Sequence, residues 1–297
     1  MTMWPEDKFQ FQFDYERVKA DLETPRSLLE SRDLYSGGGG LPELKDSWVV
    51  FLDILGTKQS MPMLNDETLR DRLFLLDRLR WFMVSEGDPP RYQQALSFSD
   101  NLVVGEPLRA GDELLQLGLL LESVASYQLN LANRGIFVRG GVTRGPLYMD
   151  GRVVIGQGLV DAYQIESEEA VTPRVVIAES IADEIRLDRK EPWPRWSWDH
   201  LILQDLDGQA FVSYLPVIGY DEIPGEVESG LAAHKAAIEA ALARHATNDT
   251  VLRKYQWAAW YHNYVCATSF PDHGSASIDT EPSGSSRFAS PFDVGGS

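Results

Sequence analysis

Two aspartates stand where this chain could turn carboxylates into chemistry. Asp53 lies near the end of the apolar run Trp48-Val-Val-Phe-Leu-Asp53-Ile-Leu-Gly56, and Asp100 sits inside Ala95-Leu-Ser-Phe-Ser-Asp100-Asn-Leu-Val-Val104. Carboxylates brought together by neighbouring strands make a pair of hard-oxygen donors. Such a pair can hold divalent cations against a triphosphate.

Taken singly, each aspartate has an ordinary explanation. Asp at a strand-to-helix junction is a common N-cap, and Asp in Ser97-Phe98-Ser99-Asp100 is a common turn residue. The functional reading of Asp53 draws on its frame, Phe51-Leu-Asp53-Ile-Leu-Gly56-Thr57-Lys58. A carboxylate leaving a buried strand must be paired or metal-bound. Gly56 lets the backbone approach a ligand, and amides from Thr57 onward could face phosphate oxygens. Lys58 is a candidate for the triphosphate or a solvated side chain. Phe51 shares a strand face with Asp53, so it either lines a nucleotide pocket or packs in the core. Arg139 and Arg144, in Arg139-Gly-Gly-Val-Thr-Arg144-Gly145, are candidate phosphate forks. The glycines beside them would let a ligand or a partner subunit lie close. Surface ion pairs with the many acidic residues account for either arginine equally well.

Composition narrows the partners. The chain has 297 residues, 43% hydrophobic and 24% charged, with a formal net charge of -18. It is long enough for a large core. Its charge opposes sequence-independent binding to a nucleic acid polymer or an anionic membrane, and leaves room for a mononucleotide that brings its own cations. No apolar run approaches the roughly 20 residues of a membrane span. With Cys266 as the single cysteine and no signal-like start, a cytoplasmic protein is expected. The five histidines show no metal-like spacing and read as structural or surface groups. Trp193, Trp196 and Trp198, and the stripe Trp257, Trp260, Tyr261, Tyr264, read as core or dimer contacts.

The elements that must position these groups follow from periodicity. Residues 1–44 form an N-terminal segment with a flexible joint at Ser36-Gly-Gly-Gly-Gly40. In it Phe9, Phe11, Phe13 and Tyr15 alternate as an edge strand or partner embrace would. A central strand is expected over 48–54, a helix over 67–86, and a hairpin turning near 99–101. Further helices are expected over 113–133 and 159–168. Strands are expected at 137–142, 146–148, 153–155, 174–178 and 211–217. This alternation predicts an α/β (α+β) sandwich on one mixed sheet over residues 45–222. Two C-terminal helices within 223–266 and a disordered tail over 267–297 complete the reading.

The order of motifs resembles a family. The Phe-x-Asp-Ile-x-Gly strand, the Ser-Asp hairpin, the Arg139-Gly-Gly segment and Ile155-Gly-Gln-Gly-Leu-Val-Asp-Ala-Tyr-Gln-Ile-Glu166 follow the sequence of a class III nucleotidyl cyclase domain. The nearest form is the pyrimidine cyclase of bacterial Pycsar anti-phage defence, and the likeness covers about residues 45 to 220. It implies a ferredoxin-like palm and a homodimer with active sites at the subunit interface. It also implies two Mg²⁺ or Mn²⁺ ions held by Asp53, the Ile54 carbonyl and Asp100. One ion would help deprotonate the ribose 3′-hydroxyl and the other would neutralise the triphosphate; since the family's own transition-state Arg is missing here, Arg139 and Arg144 are the candidates for the catalytic cation. Pyrophosphate would leave as the 3′-oxygen attacks the α-phosphorus.

Departures from the family pattern bear on the base. Val160 stands where purine cyclases keep the ribose-orienting Asn, and Gln164 where they keep the transition-state Arg. Leu96 and Val153 replace the adenine-reading Lys and Asp, so a site built here should not select adenine. The expected activity is conversion of UTP to 3′,5′-cyclic UMP and pyrophosphate. The product would act on a separate cyclic-nucleotide-activated effector. The alternatives are CTP conversion to cyclic CMP, and an inactive cyclase-homology module that binds a nucleotide or a regulatory partner.

Overall fold

The computed structural model describes residues 34–57, 65–66, 69–70, 73, 76, 92–188, 198–220, 225–280 and 287–291, with the side chains of 274–275 left aside. The chain divides into two compact units, Met1–Asp33 and Leu34–Ser297. The first unit, with the alternating aromatics 9–15, lies outside the described residues. So do Trp193, Trp196 and most of the expected helix over 67–86.

One mixed sheet organises the second unit. Its strands are β1 (Lys45–Ile54), β2 (Gln94–Phe98), β3 (Asn101–Pro107), β4 (Val138–Met149), β5 (Val154–Ile155), β6 (Val175–Ile177), β7 (Ile202–Gln204) and β8 (Ala210–Val212). They run in the order β2-β3-β1-β4-β6-β8-β7, with β5 added to β4. All pairs are antiparallel except β4 with β6. The helices are α1 (Glu113–Ala132), α2 (Gln157–Glu168), α3 (Glu179–Asp188), α4 (Glu226–Arg244) and α5 (Asp249–Ser269). The protein is thus an α+β sandwich on a mixed sheet, as its periodicity predicts.

β1 is buried on both faces because both are covered. Trp48, Val50, Leu52 and Ile54 join the larger core with α1, α3, α4 and α5, while Val49 and Phe51 join a smaller one with Leu147, Met149 and Ala162 of α2. No helix of the described residues is long and apolar enough to cross a membrane.

Three expectations differ from what is observed. The glycine-rich joint is tied down: Ser36 bridges Pro42, Lys45 Nζ donates to the carbonyls of Leu34 and Ser36, and Tyr35 is fully buried. The compact unit therefore begins before residue 45. The strands expected at 137–142 and 146–148 are one continuous strand, since Thr143, Arg144 and Gly145 keep their register with β1. The tail after 267 is packed in its described parts. Ile278 and Phe288 are buried, Ala289 exchanges two backbone hydrogen bonds with Gln204, and Arg287 pairs with the fully buried Asp205 at 2.8 Å. A polar composition signals disorder, but a few apolar anchors and one buried countercharge suffice to fix the segment.

Phe288 edges onto Phe211, Trp257, Tyr261 and Tyr264. Phe288→Ala should cost about 3 kcal/mol, measured by urea unfolding; a disordered tail would give no change.

A neutral hydrogen-bonded relay joins the C-terminal helices to the sheet. The Ala276 carbonyl can only accept, so His262 donates to it through Nε2 at 2.8 Å and accepts through Nδ1. His234 Nδ1 then donates to His262 Nδ1 at 2.9 Å, and Tyr214 donates to His234 Nε2 at 2.9 Å. Burial pushes both imidazoles below the ordinary 6.5, with His262 helping to lower His234. An unfolded chain takes up these protons as pH falls below about 6.5 while the folded one resists, so stability is full above that value and declines beneath it. The urea midpoint should therefore fall between pH 7.5 and pH 5.5, by up to about 1.4 kcal/mol per pH unit and histidine. In a His234→Phe, His262→Leu variant the slope should flatten.

Candidate functional site

The site forms where β1, the β2–β3 hairpin, β4 and α2 meet. Asp53 is the penultimate residue of β1, opposite Asn101 of β3 and Arg139 of β4. Asp100 occupies the hairpin turn beside Ser99, which holds a positive φ of 56°. Its carbonyl accepts from the Ile54 amide at 3.3 Å, and its carboxylate accepts from the Ser99 hydroxyl at 2.8 Å. The two aspartates expected to act together are thus neighbours across one strand pair.

Beyond Asp53 the chain turns sharply. Gly56 takes φ 81°, where a side chain would be strained, and the Thr57 hydroxyl donates to the Ile54 carbonyl at 2.9 Å. That carbonyl keeps a second lone pair. Thr57 is buried, and Lys58 lies outside the described residues. Phe51 is only 4% exposed and belongs to the smaller core, with Tyr163 of α2 edge-on at 5.4 Å. The exposed aromatics beside the site are Tyr163 and Phe98, not Phe51 itself.

Arg139 and Arg144 part company. Five residues separate them on a continuous strand, so they leave opposite faces of the sheet. Arg139 faces α2 with Asp53: its Nε donates to Asp53 Oδ2 at 3.2 Å and its Nη2 pairs with Glu166 Oε1 at 2.7 Å. Arg144 stands opposite Trp48 on the face covered by α1, bound to Asp46 at 2.8 Å and Glu184 at 3.6 Å. It also lies roughly 17 Å along the strand from Asp53. The structure does not bring it to the aspartates of its own chain.

The glycines serve helix packing more than ligand approach. A Cβ on Gly141 would meet the Ala162 carbonyl, and one on Gly145 would come within 3.1 Å of the Gly158 Cα. A Cβ on Gly156, which holds φ 154°, would collide with the Pro146 carbonyl. The helix α2 therefore rests on the backbone of β4 itself. This close seat brings Glu166, buried near the end of α2, to Arg139 and within hydrogen-bonding reach of Asp53. Val160 and Tyr163 face solvent on the outer side of α2, and Gln164 spends its amide on Glu168 at 3.2 Å.

Two residues escaped sequence reasoning as members of the site. Glu166 was legible only as the last letter of a motif. Lys254 of α5 comes from beyond the expected domain and shares a field with Arg139, Asp53 and Glu166. Burial pushes the Asp53 carboxyl above the ordinary carboxylate range; Arg139 opposes this and Asp100 adds to it. Burial likewise raises Glu166, with Arg139 opposing and Asp53 reinforcing. Lys254 is lowered by burial and then by Arg139. The cluster is short of positive charge.

The donor set suits a hard cation. Asp53, Asp100 and the Ile54 carbonyl offer only oxygens, which fits Mg²⁺ or Mn²⁺ and not a thiophilic ion. Among the described residues no group of three or more His, Cys, Asp or Glu is arranged to hold a metal ion. Sites of one or two carboxylates completed by water and substrate phosphates are the ordinary way to hold Mg²⁺.

No protein-family model matches the chain, and no curated protein matches it. Among solved structures it is similar to a class III adenylyl cyclase-like ATP-binding protein from Pseudomonas aeruginosa, at TM-score 0.38 and 14% identity over 57% of this chain. The match spans 42% of that protein's length. It is also similar to two structures of a bacterial light-regulated adenylyl cyclase, at TM-scores 0.37 and 0.39 with 11% and 13% identity. These cover 58% and 70% of this chain, and 91% and 66% of the other. What the site can do is set by its own residues.

Gly141→Ala tests the seating of α2. The added methyl meets backbone, which cannot swing away, so about 1–3 kcal/mol of stability should be lost in thermal or urea melts. Arg144→Gln, at an exposed ion pair on the other face, should change stability by less than about 1 kcal/mol.

Proposed function

We propose that this protein is a homodimeric nucleotidyl cyclase of the class III type that converts UTP to 3′,5′-cyclic UMP and pyrophosphate. The observation that carries the reading is the juxtaposition of Asp53, near the end of β1, with Asp100, in the β2–β3 turn just before its cross-strand partner Asn101, in the order of motifs that resembles such cyclases. Two divalent cations held by these carboxylates and the Ile54 carbonyl would neutralise the triphosphate and ease deprotonation of the ribose 3′-hydroxyl. The residues around them bind and orient. Arg139 supplies a guanidinium paired with Asp53, and Lys254 adds a second positive charge. Phe98, Val160, Tyr163, Val153 and Ile155 are exposed apolar side chains on and around α2, β2 and β5. They support a second copy of the chain covering this side.

Choice of a pyrimidine rests on what is missing. Val153 and Leu96 cannot hydrogen-bond a purine edge, and Val160 and Gln164 replace the usual Asn and Arg. The same losses favour the second reading, a cyclase-homology module that binds nucleotide without turnover. In that case Arg139, already paired to Asp53, would be a permanent internal countercharge.

Incubating the purified chain with each of ATP, GTP, CTP and UTP and Mn²⁺, with cyclic products and pyrophosphate quantified, separates these outcomes. Cyclic UMP is expected, and Asp53→Asn or Asp100→Asn should each lower its formation by about 10²-fold or more with the melting profile kept. Product from CTP alone moves the assignment to cyclic CMP, and product from a purine alone sinks it. Nucleotide binding without pyrophosphate release establishes the module.

A further inference from the structure

The ion-pair geometry around Arg139 carries an inference about how the site accepts its cations, and it rests on the metal-site reading above. One guanidinium lies between two carboxylates of different character. Its Nε reaches Asp53 Oδ2 at 3.2 Å and its Nη2 reaches Glu166 Oε1 at 2.7 Å. Asp53 is 18% exposed at its side chain, whereas Glu166 is 3% exposed. Glu166 is therefore the fixed, dry partner and Asp53 the one that faces incoming ligands. The Asp53 oxygen bound by Arg139 is on the very carboxylate a divalent cation needs. A cation arriving there repels the guanidinium, and the nearest buried anion able to keep it is Glu166.

The geometry points to Glu166 as a positioning residue that shares Arg139 with Asp53 in the resting protein and retains it when Asp53 turns to a cation. Without Glu166, Asp53 is the remaining ion-pair partner of Arg139 among the described residues, and the arginine competes with the cation for it. With Glu166, the arginine is held beside the cation site, where a triphosphate oxygen would lie, and stays paired throughout. A helix-packing role alone predicts something different: loss of stability with no change in cation affinity.

Equilibrium Mn²⁺ binding to the full chain, without nucleotide and followed by the electron paramagnetic resonance of free Mn²⁺, reads this directly. Glu166→Gln should weaken Mn²⁺ binding about tenfold, in the range that supporting residues around metal ligands give. Arg139→Gln should tighten it. In the Arg139→Gln background, Glu166→Gln should then change affinity by less than about twofold, because the competitor is gone. A simple loss of negative field would persist in that background and would overturn the proposal, as would an unchanged affinity in Glu166→Gln. If Glu166→Gln fails to fold, Glu166→Asp serves in the same cycle, with the carboxylate drawn back by one methylene and the same direction of effect expected. Binding that is absent in the wild type, or that survives Asp53→Asn with Asp100→Asn, overturns the metal site and this inference together. Binding that needs both aspartates but ignores Glu166 overturns this inference alone.

Discussion

Backbone contact between one helix and the central strands is the constraint on which the site depends. α2 has no side chain between itself and β4 at Gly145 and Gly158, and at Gly141 its own carbonyl fills the space a Cβ would take. Helix–sheet packing through larger residues would hold the helix farther off the sheet. At that separation the Glu166 carboxyl would fall short of Arg139, and Asp53 would face solvent. The run of glycines in β4 is thus a spacing device, and the acidic cluster follows from the spacing.

Charge then decides what such a cluster can tolerate. Asp53 and Glu166 share Arg139 while Asp100 lies close to Asp53; burial pushes both Asp53 and Glu166 toward their protonated forms, with Asp100 adding to the push on Asp53 and Asp53 to that on Glu166. A buried pocket with excess negative charge has two ways to relieve it, by binding protons or by binding cations. Lys254 meets part of the need, yet burial also weakens its hold on a proton. On the function proposed above, a divalent ion would satisfy the pocket more fully than either. The strongly acidic chain as a whole does not contradict an anionic substrate, since what a triphosphate meets is the local balance once cations are present.

Much of the fold was legible because its elements follow single periodicities. The unbroken apolar run of β1 announces a strand covered on both faces, and the hairpin, α1, α4 and α5 lie close to where the apolar spacing puts them. What was hidden has physical reasons. β4 read as two strands because Thr143, Arg144 and Gly145 look like a turn. That break concealed a parity: positions 139 and 144 must leave opposite faces of an unbroken strand, so only one arginine can reach the aspartates. α3 (Glu179–Asp188) and β7 (Ile202–Gln204) went unseen, one short and charged, the other three residues long. Glu166 was legible only as the end of a motif, since nothing in a sequence says that the next layer is close enough to bury it.

The C-terminal region shows the same limit from the other side. Residues after 267 are polar enough to read as a tail, yet Arg287 returns to Asp205, which also accepts from Arg174 at 2.7 Å and from the Trp257 indole at 2.7 Å. A carboxylate with no exposed side-chain surface persists only because these donors surround it, and removing either arginine leaves the buried charge less fully compensated. Trp257 sits on α5 three residues after Lys254, so both project from neighbouring turns of one helix. The contact that fastens the end of the chain and the cation that shares the field of Asp53 are therefore carried on a single rigid element. Fastening the tail restrains the helix that delivers Lys254, so the terminal segment belongs to the architecture of the site although it touches none of its carboxylates.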